Sequence, residues 1–283
     1  MSYQRYFVIR LDIDTPQCLQ IGVPGLIQIA KEFNVYFTFF ANMGRSVSRI
    51  ETINKLVNKE KKEKQESVDI SKLSNLSKLG VYGYLKVALF NHLVGLGSPD
   101  VLQTLKDSGH EIGLHGGENH ALWQNNASTW SRSQLEKQID WGVNAFNSVL
   151  GYRPTIFSSP GWNSPDGLSD VLLHAGFSGL ADTFFVASET ISSSNHLQNI
   201  NTNLVGRPGG VGFFEYCKSV GLSETEVFEK IKLELNAREV NVIYDHPFYL
   251  VKNHSAVLRK IIDYALKSNI KVITMGQLLK LYE

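Results

Sequence analysis

The first strand-like stretch of the chain reads YFVIRLDIDT, residues 6–15. Its beginning is apolar, as expected of a buried strand, and its end carries two carboxylates, Asp12 and Asp14. In parallel β/α architectures, ligands lie beyond the carboxyl ends of the strands. Since side chains two residues apart on a strand point to the same side, we predict that both carboxylates face one site. One could bind a cation while the other accepts a proton from water; the alternative is a helix cap or a surface ion pair.

Beyond this stretch, short runs rich in Val, Ile and Phe alternate with longer helical patterns. This alternation is typical of βα repeats, which form a mostly parallel sheet or barrel covered by helices. We predict strands at residues 6–11, 35–40, 110–115, 154–158, 177–181, 203–206, 239–245 and 270–274. We predict helices at residues 23–33, 99–107, 132–150, 224–236 and 256–268. The fold class is therefore α/β, with one domain over residues 1–283.

An insertion at residues 55–97 interrupts this alternation. Residues 59–66 read KEKKEKQE, a mixed-charge run that is expected to form a solvated helix or a loop. Residues 79–97 are apolar with few charges, but glycine and polar residues interrupt them too often for a membrane span. We expect this part either to contact a membrane surface or an apolar substrate, or to form a core or lid helix.

The composition is that of a globular chain without an excess of either charge. The 283 residues carry 28 Lys and Arg against 27 Asp and Glu, a net charge of +1, which argues against a nucleic-acid partner. Cys18 and Cys217 are too far apart in sequence for a disulfide framework or a thiolate metal site, and they favour a reducing compartment. The first residues lack the apolar region of a signal peptide. We therefore expect a cytoplasmic protein.

A second motif, residues 109–120, reads GHEIGLHGGENH. On one α-helix, His115 and His120 would lie ~140° apart and could not share a metal ion. Two glycines follow His115 and allow a turn, so that both imidazoles could converge on one cation. Two neutral imidazoles and one carboxylate, with positions left open, form a catalytic rather than a structural metal site. A pair of unrelated surface histidines is the alternative.

Four further segments could line the same site. Residues 240–247 read VNVIYDHP, where His246 could protonate a leaving amine while Asp245 or another carboxylate tunes its pKa. Trp162 follows a predicted strand in a loop, where it could stack on a sugar ring. Arg207 precedes Pro-Gly-Gly and could offer a cation near exposed backbone N–H groups, and Asp182 is one more acid at a strand end. Each of them could equally be a structural residue.

Taken in this order, these motifs resemble those of the NodB-homology polysaccharide deacetylases, and the resemblance spans nearly the whole chain. It implies a distorted (β/α)7-type barrel and a metal-dependent hydrolase that removes acyl groups from sugars. It further implies that Asp14, His115 and His120 hold a divalent metal, with Zn²⁺ expected. By the same resemblance Asp12 would be the general base and His246 the general acid.

Within that family, the chain is most similar to the branch that deformylates undecaprenyl-phosphate-linked 4-deoxy-4-formamido-L-arabinose, a step of lipid A modification. The similarity lies in the first motif, in FFANMGR at residues 39–45, in Trp123 with Trp130, in Gly161-Trp162 and in the insertion. It implies a lipid-linked amino sugar as substrate, with residues 79–97 against the inner face of the cytoplasmic membrane. Our alternatives are a deacetylase of a soluble or cell-wall sugar, an amidase of a non-sugar substrate, or an inactive sugar- or lipid-binding relative. Ligand type alone would also allow a two-histidine, one-carboxylate iron oxygenase.

The chain departs from the family pattern at two places. The family's second metal histidine comes four residues after the first, where this chain has Asn119, and His120 comes fifth. We expect His120 to bind the metal and Asn119 to contact substrate, with a one-residue insertion in the Gly-Gly loop, although Asn119 could itself complete the site. The arginine that orients the base in the third motif is replaced by Ser158 or Ser159, and Arg207 and Arg153 are the candidates to replace it.

Overall fold

The computed structural model describes residues 4–47, 91–184, 191–194, 197–206 and 210–282, and for 191–194 only the backbone. The strands are β1 (Arg5–Ile13), β2 (Thr38–Ala41), β3 (Glu111–His115), β4 (Ile156–Ser158), β5 (Gly179–Phe184), β6 (Ile191–Ser194), β7 (Leu197–Thr202), β8 (Val240–Asp245) and β9 (Ile270–Val272). The α-helices are α1 (Val23–Phe33), α2 (Pro99–Asp107), α3 (His120–Asn126), α4 (Arg132–Leu150), α5 (Leu168–His174), α6 (Phe213–Ser219), α7 (Glu224–Ala237), α8 (Pro247–Lys267) and α9 (Met275–Lys280).

The strands form one sheet that curls into a nearly closed barrel. Their order is β6-β7-β5-β4-β3-β2-β1-β8, with β9 also paired to β1, and every pairing is parallel except β6 with β7. The segment after β7 closes the sheet against β8, because Leu204 donates to Val242 at 3.0 Å and accepts from Tyr244 at 3.0 Å. The predicted α/β barrel is therefore confirmed.

Alternation along β1 decides which side chains enter the barrel. Val8 packs in an apolar cluster with residues from strands across the sheet, including Phe40 and Val242, so it points to the interior. Ile9 and Leu11 belong instead to the layer between sheet and helices. Because side chains alternate along a strand, the even-numbered residues of β1 point into the barrel. Those in the second half of β1 lie near the carboxyl end of the barrel.

Most helix boundaries follow the sequence signals. The helix α4 begins after Ser131, which forms a capping box with Gln134, and it ends at Gly151, whose φ of 76° suits glycine. The helix α8 begins at Pro247, nine residues earlier than predicted, and contains a kink at His254. Proline at the first helical position is well tolerated, so the helix starts directly after His246.

The predicted strand at 203–206 is wrong. The strand lies at Leu197–Thr202, and in 203–206 only Leu204 and Gly206 make isolated bridges. Four of the six residues of this strand, LQNINT, are polar, so an apolar run does not mark it. Residues 55–90 of the predicted insertion lie outside the described residues, whereas Val94 is buried and packs in the core. Within the described part of the chain, no helix has the length and hydropathy to cross a membrane.

Candidate functional site

Three predicted metal ligands meet at the carboxyl end of the barrel. Asp14 follows β1, His115 ends β3 and His120 begins α3, and all three are buried. The Nε2 atoms of His115 and His120 each lie 3.2 Å from Oδ1 of Asp14. The turn between the histidines runs through Gly116, which has a φ of 73° and where a Cβ atom would lie 2.5 Å from Cγ of Pro160. The sequence can make this turn because glycine is there.

These three residues fit a divalent metal ion. Their ligand atoms all lie within 4.8 Å of one another. A tetrahedral ion with bonds of ~2.0–2.2 Å separates its ligand atoms by roughly 3.3–3.6 Å, close to the 3.2 Å from each imidazole to Asp14. The other ring nitrogen of His115, Nδ1, lies 3.0 Å from the carbonyl oxygen of Ser158. That contact orients Nε2 toward Asp14, as the backbone partners of metal-binding histidines do.

Asp12 lies beside this group and is held by an arginine. Nε and Nη2 of Arg10 donate to Oδ1 and Oδ2 of Asp12 at 3.1 and 2.9 Å. The hydroxyl of Ser158 donates to Oδ2 at 3.4 Å, and Nε2 of His115 lies 3.8 Å from the same oxygen. Asp12 is thus a buried carboxylate of fixed orientation next to the group of possible metal ligands.

Arg10 takes the place that we expected Arg207 or Arg153 to take. Arg207 lies outside the described residues, and Arg153 donates to the carbonyl of Ala175 away from the site. Arg10 also contacts the Ser158 hydroxyl and the carbonyl of Ala181. Burial lowers the pKa of its guanidinium and the Asp12 carboxylate raises it, with the net result a raised pKa. Sequence reasoning missed Arg10, although a charge inside an apolar strand, two residues before Asp12, was a usable signal.

His246 lies on the other side of Asp14. Its Nε2 is 3.1 Å from Oδ2 of Asp14 and 3.0 Å from the hydroxyl of Tyr244, and its Nδ1 is 3.0 Å from Oε1 of Glu215. Two carboxylates therefore contact the ring, Asp14 at Nε2 and Glu215 at Nδ1. Glu215 lies in α6, and no motif in a single sequence marked it.

Asp245 accepts hydrogen bonds from the backbone. Its two oxygens accept the backbone N–H groups of Phe214 and His246 at 2.7 and 2.8 Å, which fixes the start of α6 against β8. Burial and the nearby charge of Glu215 raise the pKa of Asp245 to about 7. Gly212 makes this approach possible, since a Cβ atom there would lie 2.7 Å from the Asp245 carboxylate.

The three remaining described residues of the predicted site make structural contacts. Asn119 caps α3, accepting from the Leu122 N–H at 3.1 Å and donating to the carbonyl of Val47 at 3.1 Å. Asp182 accepts the Ser159 N–H at 2.8 Å and also contacts the Ser164 hydroxyl. Trp162 donates to the carbonyl of Gly210 at 3.2 Å and places its ring against the Arg10 guanidinium. Their predicted roles in substrate binding stay predictions.

A family model described as "Polysaccharide deacetylase" matches residues 12–180 of the chain. The chain belongs to the polysaccharide deacetylase family. The matched range includes Asp12, Asp14, His115 and His120 but neither Arg10 nor the Glu215–His246 pair, which the structure places beside them.

Two curated relatives of the polysaccharide deacetylase chain have names that specify different substrates. A probable 4-deoxy-4-formamido-L-arabinose-phosphoundecaprenol deformylase ArnD of Shewanella sediminis is 24% identical over 181 residues, 60% of this chain and 53% of that protein. The chain thus spans about half the length of this relative. Chitin deacetylase 1 of Cryptococcus neoformans var. grubii is 26% identical over 139 residues, 49% of this chain and 26% of that protein.

Solved structures in the same family share the fold. A putative polysaccharide deacetylase from Mycobacterium smegmatis has a TM-score of 0.64 at 17% identity, with 99% of this chain and 90% of that chain covered. A CE4 family pseudoenzyme from Bacillus anthracis has a TM-score of 0.55 at 10% identity, with 98% of this chain and 66% of that chain covered. At these identities the likeness establishes the fold alone.

Proposed function

We propose that this chain is a metal-dependent hydrolase that removes an N-acyl group from an amino sugar. One observation carries the proposal: two imidazole nitrogens and one carboxylate oxygen converge, with a buried carboxylate on one side and a buried histidine on the other. Asp14, His115 and His120 would hold the cation, and Zn²⁺ suits two imidazoles and a carboxylate. When bound, the cation would polarise the amide carbonyl and lower the pKa of a water molecule.

The residues around the ligands provide the proton transfers that amide hydrolysis needs. Asp12 accepts a proton from the attacking water, and Arg10 and Ser158 keep its carboxylate in one orientation. An amine leaves only when its nitrogen is protonated, and Nε2 of His246 is the proton donor in our proposal. Glu215 holds the ring by Nδ1 and favours its protonated form.

For the substrate, we propose a formamido sugar carried on a polyprenyl phosphate. The name of the Shewanella sediminis relative supports this choice, as does the first motif with Gly161-Trp162. Such a substrate places the enzyme at the inner face of the cytoplasmic membrane, in lipid A modification. The chitin deacetylase relative favours a second candidate, the deacetylation of a soluble or cell-wall sugar.

The experiment combines metal analysis with a substrate panel. Purified protein is assayed with N-formyl and N-acetyl amino sugars, each free and polyprenyl-phosphate-linked, with and without a chelator. We expect about one divalent ion per chain and chelator-sensitive release of formate from the lipid-linked sugar. Release of acetate from free sugars would replace the first substrate by the second, and a protein that binds no metal and cleaves none of them would overturn the proposal. His115→Ala should remove metal and activity together, whereas His174→Ala, on the outer helix α5, is the matched control.

A further inference from the structure

Arg10 lies in an aromatic box. Its side chain is buried, and its hydrogen bonds to Asp12, Ser158 and Ala181 all leave the edge of the planar guanidinium. The faces of the plane have no N–H groups to donate and must be packed by other groups. The Cζ atom lies 4.2 Å from the ring centroid of Trp162, 5.0 Å from that of Tyr244 and 5.1 Å from that of Phe40. Trp162 makes the closest of these contacts.

The backbone of Trp162 is in an unfavourable conformation. Its φ of 59° lies in the left-handed region, which bulky residues rarely adopt. Such strain persists only where surrounding contacts enforce it, and it concentrates at functional sites. Here the indole N–H donates to the carbonyl of Gly210 at 3.2 Å, and the rings of Tyr244 and Phe184 contact the indole edge-on. These contacts hold the indole against the Arg10 guanidinium although the φ angle of Trp162 is unfavourable.

We propose that Trp162 is a positioning residue that holds the Arg10 guanidinium against Asp12, and that the indole face on Arg10 is not a platform for the sugar. A guanidinium with one open face could tilt, and the two parallel hydrogen bonds to Asp12 require it to stay coplanar with the carboxylate. Cation–π attraction to tryptophan, the strongest aromatic partner for a cation, adds to this restraint in a buried site. The inference rests on the proposed function, because it assigns Trp162 to the orientation of the proposed base.

Kinetics separate the two roles of Trp162. A positioning role predicts that Trp162→Leu lowers kcat by roughly 10–100-fold, as displaced catalytic groups do, with KM within about twofold of wild type. Trp162→Phe should restore much of the loss, since it keeps an aromatic face. In an Arg10→Lys background, Trp162→Leu should cause little further loss, because the two residues act as one unit. A raised KM at unchanged kcat, or an equal effect in both backgrounds, would overturn the inference in favour of sugar stacking.

A second readout does not depend on activity. The Nε–H group of Arg10 donates to Asp12, so its NMR signal, assigned by its loss in Arg10→Lys, should exchange slowly with water. We expect Trp162→Leu to speed that exchange at least tenfold, while Trp141→Leu in α4 leaves it unchanged. Unchanged exchange in Trp162→Leu would overturn the inference.

The NMR readout also separates failure of the inference from failure of the proposed function. The Arg10 Nε–H group could exchange slowly in the wild-type protein and faster in Trp162→Leu while the protein shows no hydrolase activity. That result would refute the proposed function and leave the positioning role of Trp162 in place. If the leucine variant does not fold, Trp162→Met, which also removes the aromatic face, carries the same comparison.

Discussion

Arg10 and Asp12 form a two-bond ion pair within one strand, with Nε to Oδ1 at 3.1 Å and Nη2 to Oδ2 at 2.9 Å. Because the two residues are separated by one residue on β1, strand alternation alone puts both on the inner face of the barrel. The base of the proposed reaction and the cation that orients it therefore come from one rigid element. Strand geometry thus sets where the two residues lie, and the Trp162 ring packs against the guanidinium from outside the strand.

Removing Arg10 should destabilise the protein as well as the site. Arg10→Met leaves the buried Asp12 carboxylate without its cation, and breaking a buried pair in this way typically costs ~3–5 kcal/mol. The double variant Arg10→Met/Asp12→Asn should recover part of that loss, because it removes the unpaired charge as well. Urea unfolding measures both free energies. Arg153→Met, at the surface, is the control, and an equal loss in the single and double variants would contradict the ion-pair explanation.

Substitutions distinguish between His120 and Asn119, the two candidates for the metal ligand that follows His115 in the chain. Since Nε2 of His120 lies 3.2 Å from Asp14, His120→Ala should reduce bound metal at least tenfold and abolish hydrolysis. The Asn119 side chain caps α3 instead, so Asn119→Ala should keep its metal and lose about 0.5–2 kcal/mol of stability. Metal content by mass spectrometry and a thermal melt test the pair. Loss of metal in Asn119→Ala would mean that the wrong residue has been assigned.

The sequence is sufficient to predict those parts of the site whose positions depend on strand geometry and on turns. Strand ends place Asp14 and His115 at one edge of the barrel, and a glycine turn brings His120 back to them. Because these features depend on backbone geometry, periodicity and turn residues reveal them. The helix α1 was predictable for the same reason, since its apolar spacing and the residues at its ends are local.

The contacts that sequence reasoning missed are long-range. Glu215 meets His246 because α6 packs beside the end of β8, where Asp245 accepts the Phe214 N–H group at the start of α6. The strand β7 was missed because its sequence is polar and its pairing to β5 is tertiary. Nothing in the spacing of residues along the chain specifies such partners.

Acid should destabilise the fold through His110, which lies away from the site. Burial lowers the pKa of His110 to about 4, and its Nδ1 accepts the Phe37 N–H at 3.0 Å. A histidine whose folded pKa is lowered contributes stability in full above its unfolded pKa of ~6.5, and this contribution is lost as the pH falls toward 4.

At ~1.4 kcal/mol per pKa unit, the loss approaches roughly 3 kcal/mol. Urea unfolding from pH 7 to 4 should therefore be flatter for His110→Phe than for wild type, even if that variant is less stable at pH 7. His174→Ala is the control and should keep the wild-type slope. The explanation is wrong if His110→Phe and wild type lose stability in parallel.

Glu215 should control the proton that His246 delivers. The Glu215 carboxylate contacts Nδ1 at 3.0 Å, so in Glu215→Gln the protonated ring loses a negative partner while its position is largely kept. We expect kcat to fall roughly 10–100-fold, with bound metal unchanged because the carboxylate contacts His246, which is not one of the three proposed ligands.

A comparison of amide and ester substrates tests the role of Glu215 in proton donation more directly. Amide substrates need a protonated nitrogen to leave, whereas an activated ester with a phenolate leaving group does not, so the variant should lose far less activity on the ester. Glu224→Gln, exposed in the first turn of α7, serves as the control. Equal losses on both substrates would show that Glu215 supports the fold of the site rather than proton donation by His246.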